Sequence, residues 1–254
     1  TFVRGFKYYR DPRMAVLAAH YADGDASKYR LSEDIYEADP EALAGEITRA
    51  AGDTPFQLKC DHLGRYGLAI LQTEEQAEGR ALWMSYSRGL GHSHSDCLSI
   101  GLYAKNIDML PDHGYPEYTG QLWPNRFAWT AHSVSHNMLL VNDTACPKSP
   151  GGRLDIFVVR PPLRLMEGSS ATAYPGMETY RRLAALVDVS DTDSYVVDVV
   201  RARGGKNHRL IYNGPAQTAT VSGLELVRQA TGTFAGPNVD FAEFFDGPVS
   251  GYAG

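Results

Sequence analysis

The hydrophobic pattern of the chain changes near residue 60. Before it, apolar residues recur at helical spacing; after it, they come in short runs broken by Gly, Pro, Asn and Asp. In the first part, Asp11 followed by Pro12 reads as an N-cap with proline at the first helical position, and the apolar stretch Met14–Tyr21 continues from it. The same start signal recurs at Asp39–Pro40, ahead of Ala42, Leu43, Ile47 and Ala50, which share one helical face; Gly52 ends that helix. A polar loop rich in Asp and Gly separates the two. The second part offers strands at Tyr66–Thr73, Ala81–Tyr86, Leu98–Ala104, Met138–Asn142, Asp155–Val159, Arg181–Val189 and Tyr195–Arg203. A further pair, His208–Tyr212 and Thr218–Ser222, follows Gly204–Gly205. Closely spaced strands without intervening helices predict an antiparallel sandwich. The expected class is therefore mainly β: a short α-helical segment over residues 1–58, then an antiparallel β-sandwich over residues 59–254.

Composition narrows the class. The 254 residues are 43% hydrophobic and 21% charged, enough to bury a core and unlike a disordered tail, a collagen or a coiled coil. The 24 basic and 30 acidic residues leave a net charge of −6, which argues against a nucleic-acid partner. No apolar run is long enough to span a membrane. Cys60, Cys97 and Cys146 are too few and too far apart for a disulfide framework or a thiolate zinc site. The chain starts at Thr1 within a segment that reads as folded, and its Gly- and Pro-rich tail from Thr231 lacks a closing strand, so a partial or processed polypeptide is expected.

The densest ionisable cluster is GHSHSD, with His92, His94 and Asp96. In an extended backbone these three share one face and Ser93 and Ser95 the other. An ordinary pair of surface histidines is the plain alternative to a metal site. Barrel-fold metal hydrolases also use His-x-His, but the α/β alternation they need is missing here. Two later segments add to the cluster. MLPDHGYPEY holds Asp112 and His113 ahead of Gly114, and AHSVSHNMLLVND holds His136 and Asn137 at the start of an apolar strand. His94, Asp112 and His136 form a His/Asp/His set suited to zinc, and their spacing lets hairpin-related strands bring them together. His132, four residues before His136, is a rival ligand if both lie on one strand. Trp83 reads as a core residue. Arg126, Arg153, Arg160 and Arg164 read as solvated arginines that could also meet sulfate or carboxylate groups.

Taken in order, GHSHSDCLSIGLYAKNIDMLPDHGY, AHSVSHNMLLVND and YVVDVVRARGGKNH resemble the heparinase II/III-like polysaccharide lyases, and Tyr66–Leu71 looks like the strand that opens that family's central sandwich. The resemblance runs over residues 60–215. It implies a sandwich of the supersandwich type, incomplete at its C-terminal end, with residues 1–58 as the end of an α/α toroid. It implies β-elimination on a uronic-acid polysaccharide of glycosaminoglycan or alginate type: a base takes the C5 proton and the C4 oxygen leaves, helped by an acid. The dianion formed needs hydrogen-bond donors or positive charge around the carboxylate.

The resemblance also implies residue roles. His92 faces the substrate, for carboxylate neutralisation or proton transfer. His94, Asp112 and His136 hold one structural zinc per chain. Tyr118 is the preferred sandwich tyrosine for proton transfer; Tyr115 and Trp123 are candidates for substrate contact. The family's helical-domain tyrosine has no match here. Asp96 orients a histidine or caps a turn, and His208 is structural. An anionic polysaccharide or oligosaccharide partner and a periplasmic or secreted bacterial location follow from the same resemblance, which leaves a homodimer open. Two other readings stand beside it: a zinc-dependent hydrolase built on His92, His94 and Asp96, and a non-catalytic carbohydrate-binding sandwich.

Overall fold

A computed structural model of the chain describes residues 2–29, 39–73, 79–86, 94–112, 129–148, 150–216, 220–227 and 232–236. The chain divides into two compact units, Thr1–Leu58 and Lys59–Gly254.

The first unit holds three helices, α1 (Phe2–Tyr9), α2 (Pro12–Tyr21) and α3 (Pro40–Ala51). Both later helices start as the Asp-Pro signals require. The Asp11 side chain accepts from the Arg13 backbone N–H at 2.9 Å, and Asp39 from that of Ala42 at 2.8 Å. Gly52 closes α3 at φ +53, in the region glycine enters without a Cβ penalty. Phe6, Ala15, Ala18, Leu43 and Ile47 bury the small core between these helices.

The second unit carries eleven described strands in three antiparallel sheets. The first sheet runs in chain order: β1 (Asp61–Leu63), β2 (Leu68–Gln72), β3 (Ala81–Ser85), β4 (Ser99–Ala104) and β5 (Ile107–Asp108). The second has the order β10-β9-β8-β7, from β7 (Arg153–Arg160), β8 (Leu163–Ser169), β9 (Thr179–Asp188) and β10 (Ser194–Arg203). A short pair joins β6 (Leu139–Val141) to β11 (His208–Leu210). One face of each large sheet supplies a shared core. Leu71, Leu82, Met84 and Ile100 meet Met166, Ala184 and Leu186, with Met138 and Val141 beside them. This is an antiparallel β-sandwich preceded by a helical segment, the class the strand spacing implied.

Differences from the sequence reading have local causes. LRLMEGS forms β8 although it is interrupted by the buried residues Arg164 and Glu167, because both side chains find ion-pair partners. Residues 220–222, the described part of the last expected strand, are not in a strand. Trp83 is only partly buried: Leu82 and Met84 take the inward positions of β3, and the indole lies over Gly101 of β4 on the opposite face. Close hairpins depend on left-handed residues. Lys105 and Asn106 (φ +52 and +59) turn β4 into β5, as a two-residue loop of this twist requires.

Candidate metal centre

Three segments distant in sequence meet at one end of β4. Residues 94–98 lead into it, Asp112 follows β5, and residues 129–138 pack against its first residues. Each segment is tied by backbone. Ser95 N–H donates to the Ala131 carbonyl at 3.0 Å, and Ile100 N–H to that of Asn137 at 3.1 Å. Ser133, fully buried, donates through Oγ to the Ser95 carbonyl at 2.6 Å and accepts from the Cys146 N–H at 2.9 Å.

This framework brings His94, Asp112 and His136 together, with one ligand atom from each within 4.8 Å of the others. The imidazole rings lie 5.1 Å apart between centroids. His136 Nδ1 is 3.1 Å from Asp112 Oδ2. Both histidines are buried, whereas the Asp112 carboxylate is 42% exposed. Burial holds the His94 pKa below its ordinary value, helped by the charge of His136; Asp112 and Asp96 pull more weakly the other way. The neutral imidazole that results is the form that binds metals.

The donors fit a divalent ion. His136 Nε2 is buried with no hydrogen-bond partner among the described residues, an arrangement that costs free energy unless something occupies it. Two imidazoles and a carboxylate are a zinc-type donor set, and a tetrahedral zinc with bonds near 2.0–2.1 Å would draw its donors to about 3.4 Å from one another. The grouping differs from the His-x-His-x-Asp reading. Residues 94–98 are not extended; they bend and turn, with Leu98 at φ +62, so alternation does not sort their side chains. His94 and Ser95 are both buried, and Asp96 is not in the cluster. His132 lies outside the cluster as well. It caps a 3-10 turn, Ser133–Ser135, with Nδ1 accepting from the Val134 N–H at 3.1 Å.

Asn137 and Arg182 position these groups, and the sequence reading assigned neither that task. The Asn137 side chain donates to the Pro111 carbonyl at 3.3 Å, beside Asp112, and accepts from Asn213 N–H at 2.6 Å. Arg182, fully buried, donates Nη1 to the carbonyls of Asn137 and Leu98. The available signal was its register: Tyr180, Arg182, Ala184 and Leu186 all occupy inward positions of β9, and a guanidinium among them needs a polar partner. His208 Nε2 lies 2.6 Å from the Gly204 carbonyl, within the turn after β10.

The nearby thiols and phenols are unsuited to proton transfer. Burial pushes the Cys146 thiol up to about 11 and Cys97 higher still. Burial likewise raises Tyr174 and Tyr180, which donate to the carbonyls of Leu139 (2.6 Å) and Cys97 (3.0 Å). His92, Tyr115, Tyr118 and Trp123 lie outside the described residues.

The sequence model of the heparinase II/III-like C-terminal domain matches residues 83–238, which include the whole cluster. The chain belongs to the heparinase II/III-like family. No curated protein sequence matches it significantly. Among solved structures, it is similar to a heparinase III, the BT4657 gene product, with 14% identity and a TM-score of 0.59 over 83% of this chain and 31% of that one. It is similar also to the heparan sulfate lyase HepC from Pedobacter heparinus, with 15% identity and a TM-score of 0.53 over 76% of this chain and 28% of that one. At these identities the likeness is one of fold, and the chain spans under a third of the length of either structure. No helix among the described residues is long and apolar enough to cross a membrane.

Proposed function

We propose that the chain is the sandwich portion of a polysaccharide lyase that cleaves a uronic-acid-containing chain, of glycosaminoglycan or alginate type, by β-elimination. The observation that carries the reading is the convergence of His94, Asp112 and His136 within a domain of this family. In this reading the three residues hold one zinc ion, whose contribution is to brace the segments they come from. Elimination needs no water nucleophile, so a closed metal site is chemically sufficient. His92, two residues before His94, is set against the substrate carboxylate by that brace, where a donor placed on the developing charge contributes about 3–4 kcal/mol to the transition state. Tyr118 is the proton-transfer residue of the sandwich, and Tyr115 and Trp123 contact the sugar. The protein acts outside the cytoplasm, on an anionic polysaccharide.

The test is to mix the protein with heparan sulfate, and separately with alginate, and follow ultraviolet absorbance. Elimination leaves an unsaturated uronate, so absorbance grows with chain cleavage and His92→Ala abolishes the growth. Cleavage with new reducing ends but no absorbance would be hydrolysis and would reject the proposal.

A further inference from the structure

The outer face of the second large sheet is apolar. Met166, Ala184 and Leu186 point into the shared core, so their neighbours along each strand point the other way. The register aligns those outward residues in rows across all four strands. Val158, Leu165, Ala185 and Val197 form the middle row. The rows on either side add six more apolar residues, among them Tyr195 and Val199, which are 53% and 42% exposed. Of the twelve positions in these three rows, only Arg160 and Glu167 are charged. An antiparallel sheet with water on one side alternates apolar and polar residues, and these strands do not. A contiguous apolar patch of this kind, rimmed by polar residues, marks an interaction site.

The face has the dimensions of an interface. Four strands of 7–10 residues make it roughly 19 Å wide and 24–34 Å long. With the relief of the side chains, that is on the order of the 800 Å² each partner gives to a standard interface. The charges at one end of it are already used. Glu167 accepts from Arg181 and Arg201, and Asp155 from Arg153. Those arginines are neutralised within the sheet and offer little to a polyanion. A fitting partner is flat, apolar and of matching size. The same face on a second copy meets all three conditions. A twofold axis along the middle row lays one sheet over the other. The apolar rows then meet, and the ion-pair end of each copy lies against the Tyr195 end of the other, so like charges stay apart.

We propose that this face is the contact surface of a twofold-symmetric homodimer, with the second sheet of one copy stacked on that of the other. The contact uses none of the metal-centre residues and stands whether or not the chain is a lyase.

Sedimentation equilibrium of the whole chain, over a hundredfold range of concentration, tests it. The expected result is a monomer–dimer equilibrium that closes at two copies. Val197→Lys puts a charge in the middle row and is expected to weaken association at least tenfold. Leu63→Lys, at an exposed position on the first sheet, is expected to leave association unchanged. Circular dichroism checks that each variant is folded. If Val197→Lys fails to fold, Tyr195→Glu, at a more exposed position of the same face, takes its place. A chain that stays monomeric throughout overturns the proposal, and the face then belongs to a different partner. Assemblies larger than two also overturn it, because they need a second surface. So does a dimer that the folded variant of this face leaves intact, or one that Leu63→Lys weakens as much.

Discussion

Arg182 and Asp198 form a two-point ion pair inside the sandwich, with Nε to Oδ1 at 2.9 Å and Nη2 to Oδ2 at 2.7 Å. The arginine is fully buried and the aspartate side chain 11% exposed. Because Nη1 also serves the carbonyls of Leu98 and Asn137, the pair links β9 and β10 to the backbone on either side of the metal cluster. Arg182→Met takes the guanidinium from the Leu98 carbonyl and from Asp198, whose Oδ2 keeps only the Tyr212 hydroxyl, while the Asn137 carbonyl keeps the Ile100 N–H. A loss of about 3–5 kcal/mol is expected, as for other buried pairs broken on one side. Urea unfolding measures it. Asp198→Asn keeps the shape and removes the charge, and is expected to cost less than half as much. A midpoint for Arg182→Met within error of the unsubstituted chain would contradict this account.

Gly101 marks a contact of a different kind. It faces Trp83 across the β3–β4 ladder, and a Cβ built on it falls 2.0 Å from the indole atoms Cε2 and Cζ2. Gly101→Ala must push the indole off the sheet, and overpacking of this sort costs about 1–3 kcal/mol. The double variant with Trp83→Leu is expected to recover most of that loss, because the two sites share one space. Thermal unfolding of the four proteins of the cycle checks it; additive losses would mean that the two positions do not touch.

These two pairs show where sequence reading stops. Strand existence was legible for β3, β4, β9 and β10, whose runs are apolar and bounded by turn residues. β8 was not, since Arg164 and Glu167 break its pattern and their partners, Asp188, Arg181 and Arg201, come from β9 and β10. Trp83 misled for a related reason: alternation gave its strand but not which face was inward, and only the glycine opposite reveals the outer one. At the metal cluster, residue type singled out His94, Asp112 and His136, because few residues ligate zinc. The backbone that holds them was illegible, because Ser133, Asn137 and Arg182 act through carbonyls and N–H groups that every residue has.

Acid stability is expected to depend on Glu167. Its carboxylate, 3% exposed, accepts from Arg181 Nε at 2.7 Å and from Arg201 Nη2 at 2.6 Å. The hydrogen bond from Arg181 lowers its pKa most, with the charges of Arg181 and Arg201 adding to it against the cost of burial. A folded pKa below the unfolded one means that the unfolded chain takes up protons first as pH falls. The stabilisation is therefore complete above the unfolded value, about 4.3, and is lost as pH drops through the lower folded value. Glu167→Gln is expected to lose about 1.5–3 kcal/mol at pH 7, the range for hydrogen bonds to charged groups, and to flatten the acid limb. Urea midpoints of both proteins between pH 7 and about pH 3 decide it. Parallel limbs would assign the acid sensitivity to other carboxylates.

Metal removal gives the most direct test of the cluster. In the proposed reading the two imidazoles and the carboxylate, brought together only by the fold, hold the ion in the folded chain and not in the unfolded one, so the ion stabilises folding by mass action. At free zinc one hundred times the dissociation constant, the gain is about 2.7 kcal/mol. Elemental analysis is expected to find one zinc per chain, and a chelator to lower the melting temperature of the unsubstituted protein. In His136→Ala the zinc and the response to chelator should vanish together, because His136, 1% exposed, supplies one of the three grouped ligand atoms. Asp112→Asn should retain some metal at higher zinc, since its carboxylate stands at the open side of the cluster. A chelator-insensitive melting temperature with no bound metal, in protein purified and refolded with zinc present, would leave the His136–Asp112 contact as an ordinary hydrogen bond.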